Sequence, residues 1–177
     1  MNMAAESVDL IQAWHDLYVT LGSASAGLIG LLFVAASLHL GDVMSNPMFR
    51  VRAYHITLYL LTLLVVAVVI LVPQSVHFLG AEIFVVNVVG LLVPLKTSYS
   101  YVYKHPDLCE RGGVKRSWIV ALSLAYLFGM LGGIALIRES HWGMYVVTGS
   151  YTVLLVAVVL RTWSILLGIE RTEKVDS

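Results

Sequence analysis

The chain has 177 residues, of which 59% are apolar and only 12% charged, with 11 basic and 11 acidic side chains and a mean hydropathy of +0.85. An ordinary soluble domain is about 45–50% apolar and about 25% charged, so this composition excludes a soluble enzyme core and points to an integral membrane protein. The one basic run, Lys104, Arg111, Lys115 and Arg116, is too diluted by Pro106, Asp107 and Glu110 to suggest nucleic-acid binding.

A spanning helix needs about 20 mostly apolar residues. Five stretches qualify, at residues 18–40, 53–78, 79–95, 118–137 and 144–160. The expected fold class is therefore an all-α integral membrane protein, a five-helix transmembrane bundle forming a single domain over 1–177, since no loop is long enough for a separate soluble unit. The residues before the first run carry Glu6, Asp9 and Asp16 and no Lys or Arg, the reverse of a secretory signal, so this run is expected to be retained. Leu10, Ile11, Trp14, Leu17 and Tyr18 recur at helical spacing ahead of it. The second and third runs are separated only by residues 77–80, and Pro73, Gln74, His77, Gly80 and Glu82 predict a tight turn there.

With five spans, Arg50, Arg52, Lys96, Lys104, Arg111, Lys115, Arg116, Arg161, Arg171 and Lys174 fall on one side, and only Arg138 falls on the other. The positive-inside rule then predicts the N-terminus outside and the C-terminus in the cytoplasm. Trp14, Tyr18, Trp142 and Tyr145 at the outer ends, and Tyr54, Trp118 and Trp163 at the inner ends, fit an aromatic belt. Cys109 is the sole cysteine, which excludes an intrachain disulfide. An odd number of spans excludes two equal inverted halves.

Small residues recur in two spans. Gly22, Ala26 and Gly30 are spaced by four in the first, and Ala121, Ala125, Gly129 and Gly133 by four in the fourth. Close backbone approach across small residues is a main source of helix association in lipid, so these are expected contact faces, within or between subunits. Ser23, Gly30 and Ser37, spaced by seven, offer a stripe of small and hydroxyl groups that suits either packing or a pore lining, with Phe33 beside it as a constriction. Asn87 lies near the middle of the third span, where an unpaired amide costs several kcal/mol. It should therefore meet a partner helix or a wet cavity.

His15, His77, Glu82, Glu139 and His141 come from three segments at one expected depth on the outer side. Imidazole and carboxylate together suit a divalent metal, although no HxxxH or HExxH spacing supports it. His39 and His55, at the inner edges of neighbouring spans, are a conceivable axial pair for haem. No cofactor is required by any other pattern. No acidic or basic residue lies deep in a span, which lowers the odds of a proton-driven pump. No phosphate-cradling loop, nucleophile elbow or paired carboxylate suggests an enzyme.

The segment from Trp14 to Tyr18 followed by the run from Ala26 to His39 resembles the opening helix of a family of small bacterial multi-pass inner-membrane proteins of uncharacterised role. The resemblance covers about one sixth of the chain, implies a bacterial inner-membrane location and carries no functional residue with it. The leading functional expectation is a small homo-oligomeric channel or pore subunit in the lipid bilayer, passing ions or small solutes with Ser23, Gly30 and Ser37 or Asn87 at its axis. An accessory or assembly subunit of a larger membrane complex is the alternative from a different class. An outer-face metal or haem protein is the third.

Overall fold

Long apolar runs leave the backbone one way to satisfy its own hydrogen bonds, and in a computed structural model the described residues are helical almost throughout, through Pro94 as well. The structure describes residues 3–38, 41, 47–104, 116–140 and 142–173. Five helices follow one another: α1 Met3–Leu38, α2 Pro47–Leu71, α3 Val76–Lys104, α4 Arg116–Ile137 and α5 Trp142–Glu173. By length and composition, four described segments can cross a membrane, at Trp14–Leu38, Ala53–Leu71, Val76–Thr97 and Trp142–Leu160. The described apolar part of α4, Leu122–Ile137, is shorter, within a helix of 22 residues.

The helices alternate in direction, giving the bundle a turn end, near residues 14, 73–75 and 139, and a loop end, near residues 38, 47 and 104. α1 packs chiefly on α2, α3 on α4 and α4 on α5, while α2 also touches α3 and α5. The core is built of Leu60, Leu63, Val66, Ile70, Leu79, Ile83, Leu136, Val147 and Leu154, together with Tyr18, Tyr59, Tyr126 and Tyr151.

Two expected boundaries change. The break between the second and third runs lies at Val72–Ser75, five residues before the expected turn, so residues 76–78 and Gly80 belong to α3. Pro73 explains the shift: it supplies no N–H and disfavours helix at Val72 before it. Gln74 Nε2 then donates to the Val69 carbonyl at 3.2 Å and to Glu82 Oε2 at 2.7 Å, tying the end of α2 to the start of α3. The helices also run past the expected spans. α1 is continuous back to Met3, α3 extends to Lys104 and α5 to Glu173. Polar and aromatic flanks continue a helix readily once a packed span has nucleated it.

The α4–α5 turn is closed by a left-handed residue. Glu139 has φ 58°. Its N–H reaches the Leu136 carbonyl at 2.8 Å and the Ser140 N–H reaches Ala135 at 2.9 Å, the paired bonds of a Schellman cap, in a position that ordinarily takes glycine.

Candidate functional site

The buried polar groups lie where three helices meet. Asn87 on α3 is 0% exposed. Its Nδ2 donates to the Ile83 carbonyl one turn back, at 2.7 Å, and to the Tyr151 hydroxyl of α5, at 2.7 Å. Its Oδ1 has no hydrogen-bond partner among the described residues and lies against Gly129 of α4. A Cβ at position 129 would stand 2.8 Å from Asn87 Cγ and closer still to Oδ1, so only the glycine hydrogen fits there.

Two further hydroxyl pairs join other helices. Tyr126 of α4 donates to Thr62 Oγ1 of α2 at 3.3 Å, and Thr62 in turn donates to the Leu58 carbonyl at 2.9 Å. The Tyr18 hydroxyl of α1 and Thr148 Oγ1 of α5 are 2.8 Å apart. Above this pair, Trp14 packs edge-on against Tyr145 with centroids 5.0 Å apart. Each of these bonds joins two helices in the bundle interior, where partners for polar atoms are scarce.

The small residues of α4 sit at backbone-to-backbone approaches. A Cβ on Gly133 would lie 3.0 Å from the Gly80 carbonyl oxygen of α3, and one on Gly80 would lie 2.7 Å from that of Gly133. The neighbouring Gly132 faces α5, where a Cβ would meet Val147 Cγ2 at 2.6 Å and the Gly143 carbonyl at 3.1 Å. Ala125 is buried in the same seam. The side chain of Ala121 lies outside the described ones.

The α1 residues separate onto two faces. Gly22 packs against Ala67 of α2, where a Cβ added at position 22 would stand 3.1 Å from the Ala67 Cβ, and Ser25 is buried with its hydroxyl on the Leu21 carbonyl. Ser23, Ala26, Gly27, Gly30, Val34 and Ser37 are exposed on the other face, and the Cβ directions of Gly27 and Gly30 are open. A spacing of four drifts about 40° per step around a helix of 3.6 residues per turn. Gly22, Ala26 and Gly30 therefore pass from a covered face to an open one and do not form one contact line. Phe33 is 74% exposed, and Ser37 Oγ donates to the Phe33 carbonyl of its own helix at 2.8 Å.

Of the expected outer cluster, His15, His77, Glu82 and Glu139 lie at the turn end. Among the described residues, no group of three or more His, Cys, Asp or Glu side chains is placed to hold a metal ion. His15 contacts its neighbour Asp16 at 3.2 Å, His77 stacks on Phe78, Glu82 accepts from Gln74, and Glu139 closes the α4–α5 turn. His141 lies outside the described residues, as do His39 and Cys109. His55 is buried between Tyr54 and Tyr59, with ring centroids 6.1 and 6.3 Å away.

Sequence reasoning singled out Asn87 and missed its partners. The available signal was position: Tyr59, Tyr126 and Tyr151 lie deep in their apolar helices, away from the ends where a tyrosine belt belongs. A tyrosine at such depth is expected to find a hydrogen-bond partner. Also missed was a shallow apolar groove of about 250 Å³ between α2 and α3, lined by Leu58, Leu61, Val65, Val85, Val89 and Val93, with Thr62, Gly90 and Pro94 among its further residues. No protein-family model, curated protein or solved structure matches the chain.

Proposed function

We propose that the protein is a five-span inner-membrane subunit, with the turn end outside and the loop end in the cytoplasm, that self-assembles along α1 and passes ions or small solutes between its copies. The observation that carries this reading is the open face of α1, where Ser23, Gly30 and Ser37 lie exposed on one stripe and the Cβ direction of Gly30 is empty. The interior offers no comparable stripe: Asn87, Tyr151, Tyr126 and Thr62 are tied to one another across helices, and Gly129 closes the space at Asn87. A path at the α1 stripe requires several copies. Orientation rests on the basic residues: among the described ones, Arg50, Arg52, Lys96, Lys104, Arg116, Arg161 and Arg171 stand on the loop-end parts of their helices, and Arg138 at the turn end.

A second reading is an accessory subunit that docks α1 against a different membrane protein. It is favoured by Ser37, whose hydroxyl is already bonded within its own helix beside exposed Phe33, an arrangement that suits a dry contact. Size measurement in lipid nanodiscs together with flux from liposomes decides between them. Self-assembly requires a discrete oligomer that Gly30→Leu breaks, and solute flux lost in the same variant. A monomer with no flux under any voltage or pH rejects it, and a stable heteromeric complex broken by Gly30→Leu supports docking.

A further inference from the structure

We infer that the groove between α2 and α3 is a binding site for one anionic phospholipid of the cytoplasmic leaflet, with an acyl chain in the groove and the phosphate held between Lys96 and Tyr54. The inference rests on the proposed orientation but concerns a surface separate from the α1 face.

Length supplies the first argument. The α3 wall runs from Val85, near the middle of the apolar segment Val76–Thr97, to Pro94, one turn from its end. Nine residues at about 1.5 Å each span about 14 Å, close to half of a hydrocarbon core about 30 Å thick. The groove thus has the depth of a single leaflet, and its polar end is the loop end.

Chemistry supplies the second. Leu61, Val65, Val85 and Val89 are all more than a third exposed, whereas Thr62, the polar side chain of the lining, is already occupied by the Leu58 carbonyl and the Tyr126 hydroxyl. The lining therefore presents almost nothing but hydrocarbon to its occupant. At the mouth the character changes. Lys96 follows Val89 by seven residues and Val93 by three, which places it on the groove side of α3, exposed. Tyr54 precedes Leu58 by four and Leu61 by seven on α2, and is 48% exposed.

Depth brings the two together. Gly90 and Thr62 are level, since a Cβ on Gly90 would lie 3.3 Å from Thr62 Oγ1. Lys96 then stands about 9 Å and Tyr54 about 12 Å below that level, at about 1.5 Å per residue. Backbone levels about 3 Å apart put the Lys96 ammonium and the Tyr54 hydroxyl within side-chain reach of one phosphate whose chain lies in the groove between them. Arg50, exposed one turn below Tyr54, adds positive charge at the same mouth. A zwitterionic lipid would bring its own cation to this cluster, so the charge selects a net anionic headgroup.

The test is native mass spectrometry of the full chain released from nanodiscs of phosphatidylcholine with one fifth phosphatidylglycerol. The expected result is retention of one phosphatidylglycerol in preference to phosphatidylcholine. Lys96→Gln should lower that preference about fivefold, the factor for one cationic contact of about 1 kcal/mol. Val89→Trp, which fills the groove, should abolish retention of the bound lipid, and Arg138→Gln at the opposite end should change nothing. Equal retention of both lipids, or an unchanged preference in Lys96→Gln, overturns the site. So does a Val89→Trp variant that retains its phosphatidylglycerol but loses its oligomer, because the groove then belongs to a second copy. An alkaline wash separates the levels of failure: a chain that stays in the bilayer without lipid preference loses only this site, and a chain that washes out loses the membrane reading as well.

Discussion

The seam of α3, α4 and α5 and the open face of α1 are both rich in small residues, yet the structure uses them in opposite ways. In the seam, Gly80, Gly129, Gly132, Gly133 and Gly143 stand where another helix's backbone or a buried amide leaves no room for a methyl group. On α1, Gly27 and Gly30 face open space. The contrast teaches that small-residue spacing marks where a helix can be approached closely, while only the neighbouring helix decides whether it is. A glycine that nothing inside the chain occupies is also a destabilising helix residue, by about 0.5–1 kcal/mol relative to alanine, a cost that Gly149 of α5 shares with Gly27 and Gly30.

The comparison breaks most sharply under leucine substitution. Gly129→Leu drives a side chain into Asn87, and Gly133→Leu drives one into the α3 backbone, where no rotamer offers relief. Either should destabilise the subunit by at least about 3 kcal/mol, the upper part of the overpacking range. Gly30→Leu should cost the subunit nothing and should stabilise it, by up to about 0.5–1 kcal/mol, since its Cβ meets open space and leucine is the better helix former. Unfolding of each variant in mixed micelles by dodecyl sulfate titration measures both. Equal losses at positions 30 and 129 would erase the distinction between the two regions.

Next in size is the polar centre of the seam. Asn87→Ala removes the donor to Tyr151 and leaves a buried hydroxyl, which should cost about 1–2 kcal/mol in the same titration. Tyr18→Phe removes only the bond to Thr148, where α1 meets α5, and should cost about 0.6 kcal/mol, the average for a hydrogen bond between membrane helices. A double variant tests whether the two bonds act independently: Thr148 and Tyr151 stand one turn apart on α5, so the losses should depart from their sum by about 0.5 kcal/mol or more.

How much of this was legible in the sequence depends on the range of the interaction. Helix number followed from apolar run length, and the need of Asn87 for a partner followed from the cost of an orphan amide. The α2–α3 break was displaced because Gly80 reads locally as a breaker, whereas in the fold it is where α3 meets Gly133. Gly22 and Gly30 looked alike at a spacing of four and fell on different faces, since the drift of a 3.6-residue helix becomes decisive only once the position of α2 is known. The Tyr151 partner of Asn87 is 64 residues away, a pairing that no local period encodes. Glu139, grouped by residue type with the outer histidines, takes its role from backbone conformation, which its side-chain chemistry does not report.

That last residue gives the smallest prediction and tests how far the rigidity of the seam extends. Glu139 holds a left-handed conformation at the α4–α5 turn, which costs a residue with a Cβ roughly 1–2 kcal/mol. Glycine relieves that strain but adds about 0.5–1 kcal/mol of unfolded-state freedom. Glu139→Gly should therefore stabilise the subunit, by about 0.5 kcal/mol. Glu139→Ala keeps the Cβ and loses the carboxylate, and should leave stability close to that of the parent chain. If the carboxylate were a metal ligand at the turn end, both variants would lose a zinc-dependent rise in the unfolding midpoint. If the residue serves the turn alone, zinc and chelator should leave all three proteins unchanged, and only the glycine variant should unfold later. The zinc dependence thus separates a ligating role from a capping one, and the sign of the glycine effect in chelator tests the cap itself.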